Sequence, residues 1–141
     1  MSQTITITRK VDGRTYSIEV PAVERVPGEV GVEFAVGQAA EVAIAAAVAE
    51  APPSPAGLLY IRRALGLTAA RLAELLGVRA ETISRWENAA TPFDRAAWVA
   101  VGDLALERAG RPSSALSRME ALIAGREPPK RVRVELHLSQ G

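Results

Sequence analysis

The chain has no cysteine and a single histidine, His137. Without cysteine neither a disulfide framework nor a thiolate zinc site can form, so the fold must rest on apolar burial. With one histidine near the C-terminus and no thiol, the usual nucleophile–base pairs of covalent catalysis are not there. No glycine-rich phosphate loop followed by lysine occurs. Glu19, Glu24, Glu29 and Glu33 lie in strand-like stretches and read as solvated charges rather than an acid–base pair. Nothing points to a metal site of carboxylates alone. Neither an enzyme nor a cofactor or metal is expected. A long apolar run is lacking too. The opening residues, MSQTITITRK, alternate instead of forming the core of a signal peptide. Residues 39–51 are interrupted by Glu41 and Glu50 and are too short to span a bilayer. The expectation is a cytoplasmic protein with no membrane partner.

What is present is apolar. Of 141 residues 48% are hydrophobic, enough for one ordinary domain or two small ones to bury a core unaided. The net charge of +1 is unevenly spread. Residues 1–56 carry four basic and seven acidic side chains, residues 57–110 seven and six, and residues 111–141 six and three. An acidic front and a basic back suggest that one half meets DNA and the other something else.

Residues 4–9 (TITITR) alternate at period two, Asp12-Gly13 is a two-residue turn signal, and Tyr16, Ile18 and Val20 alternate again. A β-hairpin follows from these. Pro27-Gly28 marks another turn, and residues 29–36 (EVGVEFAV) read as a third strand with Val30, Val32 and Phe34 or their neighbours inward. Residues 37 to about 51 read as an Ala/Val-rich helix that packs closely on the sheet or on a copy of itself. Pro52-Pro53-Ser54-Pro55 breaks it and sets a boundary. Three parts result: a β-rich dimerisation or partner-binding module over 1–54, a helical domain over 55–125, and a strand or tail over 126–141.

Within the helical part, residues 58–88 carry the sharpest pattern. Thr68 stands as an N-cap before Leu72, Leu75 and Leu76, an apolar face at i, i+3, i+4. Ala73 is small where a second helix must pass, and Gly77 ends the first helix. A second helix over 79–88 turns Ile83 and Trp86 inward and Arg79, Ala80, Glu81, Thr82, Ser84 and Arg85 outward. Two short helices at a tight turn make a helix-turn-helix, whose second helix reads the major groove. Further on, Pro92 opens a helix over 93–109 at its first position, with Trp98 as a core residue. Residues 112–124 form an amphipathic helix, with Ser113 or Ser114 near its cap and Leu116, Met119, Leu122 and Ile123 on one face. Residues 130–138 alternate, with Val132, Val134, Leu136 and Leu138 on one side. That strand needs a partner edge, in the N-terminal sheet or in a twin across a two-fold axis.

The stretch GLTAARLAELLGVRAETISRWEN resembles the Cro/repressor (Xre-like) helix-turn-helix family over about residues 58–109. The resemblance implies a five-helix, lambda-repressor-like domain. Matched position by position, Ala80, Glu81 and Arg85 take the reading positions. Arg85 would take guanine O6/N7, Glu81 cytosine N4, and Ala80 a thymine methyl. Arg79, Thr82, Ser84 and the helix N-terminus at Thr68 would meet phosphate or flanking bases. Arg62 and Glu87 fall where the family has a structural ion pair. The family's glutamine after the opening Ser/Thr is here Ala69, which removes one DNA contact.

In the front half, YSIEVPAVERVPGEVGVEF is similar to MqsA/YgiT-type antitoxins without their zinc-binding cysteines. Toxin binding is what that likeness implies. The fold class expected is α+β, a small β-rich N-terminal module plus the five-helix domain. The function expected is a sequence-specific transcriptional regulator. It would act as a homodimer on operator DNA and autorepress as the antitoxin of a toxin–antitoxin pair. The alternative is a protein-interaction or dimer scaffold whose helix-turn-helix no longer binds DNA.

Overall fold

The computed structural model describes residues 3–112, 115–125 and 127–137. The Asp12-Gly13 signal does what its residues dictate. Asp12 and Gly13 both take positive φ (49° and 76°), the geometry of a type I′ turn whose twist suits the flanking strands. It joins β1 (Thr4–Val11) to β2 (Arg14–Pro21) in antiparallel register from Thr4 opposite Pro21 to Val11 opposite Arg14. The C-terminal β5 (Arg131–Val134) adds to the other edge of β2, in parallel, giving the order β1-β2-β5. Central β2 therefore buries Tyr16, Ile18 and Val20 on one face, and Val134 of β5 continues that face. The C-terminal alternation thus finds its edge in the N-terminal sheet. The strand stops at Val134, Leu136 packs half-buried beyond it, and Leu138 lies outside the described residues.

A second, smaller ribbon follows: β3 (Val23–Val26) pairs with β4 (Glu29–Gly31) around Gly28, whose N–H donates to the Glu24 carboxylate at 2.8 Å. The third strand expected over 29–36 is corrected here. Strand pairing ends at Gly31 because β3 offers only four residues, and the chain turns at once into helix α1 (Phe34–Val48). Val30 and Phe34 do not face inward. Phe34 is 78% exposed and Val30 is exposed as well.

α1 is the centre of the molecule. From Ala40 onward nearly every side chain is buried, a pattern that fits a helix covered on all sides. Its alanines let the sheet on one side and helices α2 (Pro55–Ala64) and α5 (Arg95–Arg108) on the other come close. One buried cluster runs from Tyr16 and Ile18 through Ile44 and Val48 to Leu58, Ile61, Trp98 and Val101. Glu41 is the charged member of this helix. It accepts two bonds from Arg9 (Nε 2.9 Å, Nη2 2.6 Å) and one from the Tyr60 hydroxyl, tying β1 and α2 to α1. Burial first, and then that bond to a carboxylate, pushes the Tyr60 hydroxyl pKa well up.

The remaining helices are α3 (Ala69–Leu76), α4 (Ala80–Glu87) and α6 (Ala115–Ala124). α5 begins at Arg95 because the Asp94 side chain caps the Ala96 N–H at 3.0 Å, so Pro92 is a loop residue and not the first helical one. On α6 the inward face is Arg118 and Leu122, while Leu116, Met119 and Ile123 are exposed, contrary to the single apolar face expected. Ser113 and Ser114 lie outside the described residues. Among the described residues, no helix is long and apolar enough to cross a membrane.

Candidate nucleic-acid interface

The site is built from α2 upward. Ser54 caps α2 through the Gly57 N–H (2.9 Å), with Pro55 at the first helical position. Gly57 has no room for a side chain: a β-carbon there would stand 2.9 Å from the Trp98 ring and 2.8 Å from Ser54 Oγ. The missing methyl lets the start of α2 press onto Trp98, whose indole N–H donates to the Ala51 carbonyl at 3.2 Å.

α3 starts at Thr68, whose hydroxyl accepts from the Arg71 N–H at 3.0 Å, and stops at Gly77 with φ 71°. Val78 N–H returns to the Ala73 carbonyl (2.9 Å), closing the helix end as a Schellman turn does. Leu72 and Ala73 are buried, so α4 passes close over α3 and buries Ile83 and Trp86. Leu75, expected on the inner face with Leu72 and Leu76, is 45% exposed; Leu76 alone joins Leu72 in the packing.

Two features lock α4 at its far end. Arg62 of α2 forks onto Glu87, Nε to Oε2 at 2.7 Å and Nη2 to Oε1 at 3.0 Å, and its Nη1 donates to the Leu67 carbonyl at 3.0 Å. The fork fixes the end of α4 to α2 and the turn before α3 at once. The bond to Glu87 raises the Arg62 pKa. Second, Phe93 stacks on Trp86 (centroids 4.7 Å, planes 19° apart) and meets Trp98 edge-on at 5.6 Å. Phe93 was not singled out from sequence. It sits in a loop, and only the fold shows that it bridges two tryptophans.

With α4 so held, its outer surface is set. Arg79, Ala80, Glu81, Ser84 and Arg85 are exposed, and the pairs 80/84 and 81/85, four apart, form two adjacent columns on one face. Thr82 turns aside and is half-buried, and Thr68 stands at the start of α3 with its hydroxyl engaged as a cap. Ser84 Oγ accepts from Asn88 Nδ2 at 3.3 Å. Among the described residues, Arg79, Glu81 and Arg85 enter no ion pair. Among the described residues no side chain caps α4, in contrast to α2, α3 and α5. Its first amides are therefore available to an anion such as phosphate, and Glu81 in that first turn is favourable to the helix dipole. Ala69, where the Cro/repressor pattern has glutamine, packs half-buried against the core.

Neither the comparison with curated proteins nor that with solved structures returns a match. Residues 58–94 match the helix-turn-helix family. That span takes in most of α2, all of α3 and α4, and the loop carrying Phe93, which are the elements just described. Geometry and family match agree on a helix-turn-helix over residues 58–94, and this supports a DNA-binding regulator.

Proposed function

We propose that the protein is a sequence-specific transcriptional repressor that inserts α4 into the major groove. The observation that carries the reading is the outward face of α4, with Arg79, Ala80, Glu81, Ser84 and Arg85 together, uncapped at its start and locked at its end by Arg62 and Glu87. Arg85 takes a guanine edge, Glu81 a cytosine amine and Ala80 a thymine methyl, while Arg79, Thr82, Ser84 and the α3 start at Thr68 meet phosphate or flanking bases. One such module makes few phosphate contacts, so a two-fold homodimer reading half-sites about 34–36 Å apart is the working form. The finer reading is an autorepressing antitoxin whose front module meets the product of an adjacent gene. The exposed Val26, Val30 and Phe34 around the β3–β4 ribbon support a partner-binding role for that module.

Glu81 and Ala69 favour the alternative, a scaffold that has lost DNA binding, because one carboxylate faces outward and one phosphate contact is missing. Fluorescence anisotropy separates the two. Titration of the full chain against DNA from upstream of its own gene should give binding that falls steeply with salt and exceeds that for random DNA. Equal, weak binding to both DNAs would leave the scaffold.

A further inference from the structure

The order β1-β2-β5 leaves one side of β1 and one side of β5 without a strand neighbour among the described residues. The two edges are differently made. β5 has four residues and exposes Arg131 and Arg133, a short and charged edge of the kind that discourages further pairing. β1 runs eight residues and begins Thr-Ile-Thr-Ile-Thr, all β-branched and all uncharged.

The hairpin register tells which backbone groups of β1 are free. Val11 and Arg14 flank the two-residue turn and exchange the first pair of ladder bonds. Bonded pairs alternate from there: Arg9 with Tyr16, Ile7 with Ile18, Ile5 with Val20. The series continues in the Ala22 N–H, which donates to the Gln3 carbonyl at 3.0 Å. Pro21, which has no N–H, falls opposite Thr4, where none is needed. The N–H and C=O groups of Thr4, Thr6 and Thr8 therefore point away from β2. Of these, the Thr8 carbonyl accepts from Arg9 Nη1 at 3.0 Å and keeps a second lone pair.

The core side of the same edge is unfinished. Tyr16, Ile18 and Val20 of β2 are at most 1% exposed, whereas Ile5 and Ile7 of β1, on the same face, are only half-buried. Leu59 and Tyr60 of α2 line a cavity with Lys10 and Val11, and Thr4, Thr6 and Thr8 are exposed.

We propose that a second copy of the chain covers this edge, β1 pairing antiparallel with β1 of the other copy about a two-fold axis at Thr6. The self-match lies in the residues. Thr4-Ile5-Thr6-Ile7-Thr8 reads the same in both directions, so the axis sets Thr6 against Thr6, Thr4 against Thr8 and Ile5 against Ile7. The free N–H and C=O groups of the two strands then bond each other, with threonines paired on the solvent side and isoleucines on the core side. Arg9 falls opposite the uncharged Gln3 of the second copy, so the cations of the two strands lie at opposite ends. The pair uses up both edges and gives a closed dimer with one continuous sheet. The inference rests on the proposed function for the need of a two-fold dimer, and it supplies the surface.

The test is sedimentation equilibrium of the full chain without DNA. From about 1 to 200 μM the parent should pass from monomer to dimer, as suits a contact one strand wide. Thr6→Pro removes an N–H that the hairpin itself does not use, and should weaken dimerisation about a hundredfold. Thr6→Lys and Thr6→Glu each set like charges opposite one another and should weaken it about tenfold, while their equimolar mixture should associate as the parent does. Circular dichroism of these two variants should match the parent, since Thr6 is exposed. A parent that stays monomeric throughout, a dimer that survives Thr6→Pro, or a mixture that associates no better than either variant alone would overturn the pairing. A dimer that meets all three expectations yet binds operator and random DNA equally would overturn the reading of DNA instead and leave the pairing in place.

Discussion

Helices α1 and α4 are the two most instructive segments to set side by side. α1 runs 15 residues between the sheet and the helices, with Ala40 and every residue from Val42 to Val48 buried. α4 runs eight, buries Ile83 and Trp86, leaves Thr82 and Glu87 half-buried, and gives Ala80, Glu81, Ser84 and Arg85 to solvent. From Ala40 onward, Glu41 apart, α1 acts as an organiser, because the faces of that stretch are already taken up by neighbours. A helix apolar on one stripe is presented by the core, so its outer side chains can change without touching the fold. The chain thus separates holding from reading, and the substitutions that follow are chosen to break or sharpen that separation.

The largest effect belongs to α1. Ile44→Ala empties a fully buried position between sheet and helices and should lower stability by about 2–5 kcal/mol in denaturant unfolding. A loss under about 1 kcal/mol would mean that the core is not centred on α1. Next is the fork that holds α4. Glu87→Ala strands the largely buried Arg62 guanidinium and should cost about 3 kcal/mol. Adding Arg62→Met should recover part of that loss, since replacing both partners by apolar groups removes the unpaired charge. No recovery would show that the pair acts through the Leu67 carbonyl bond and not through its charges. Third, Arg85→Ala should weaken operator binding by about 1–3 kcal/mol and relax preference at one base pair. Its unfolding midpoint should stay within about 0.5 kcal/mol of the parent, as befits an exposed position. A large stability change at Arg85 would erase the contrast with α1.

How much of this was legible in the chain follows from how local each signal is. Asp12-Gly13 fixes its own turn, and Thr68 and Gly77 fix the ends of α3 within a few residues, so hairpin and helix-turn-helix could be read directly. The pairing of Arg62 with Glu87, 25 residues apart, came through resemblance alone. The segment EVGVEFAV misled because Val30, Val32, Phe34 and Val36 alternate like a strand, while no partner remains beyond Gly31 to pair with them. Short apolar runs are ambiguous between helix and strand until the neighbours are known. The partner of β5, the place of Phe93 between two tryptophans, and the packing of the Arg118 guanidinium of α6 on Gly102 of α5 are contacts between distant segments. Periodicity carries no information about them.

The smallest effect tests where the presented surface ends. Past α4 the chain turns through Ala89 at φ 58°, with Ala90 N–H donating to the Arg85 carbonyl at 2.8 Å and Ala89 N–H to the Trp86 carbonyl at 3.3 Å. This is the hydrogen-bond pattern of a Schellman end, whose left-handed residue is usually glycine. An alanine there bears a steric penalty that glycine lacks. Ala89→Gly should therefore gain about 0.5–1 kcal/mol net of the extra freedom it gives the unfolded chain. Thermal unfolding should rise by roughly 2–4 °C, with operator affinity unchanged. A fall in affinity beside that rise would place the turn after α4 against the DNA, so that the reading surface reaches beyond Asn88. A fall in stability would mean instead that the methyl of Ala89 makes packing contacts that outweigh its strained backbone, and that this turn belongs with α1 among the parts that hold.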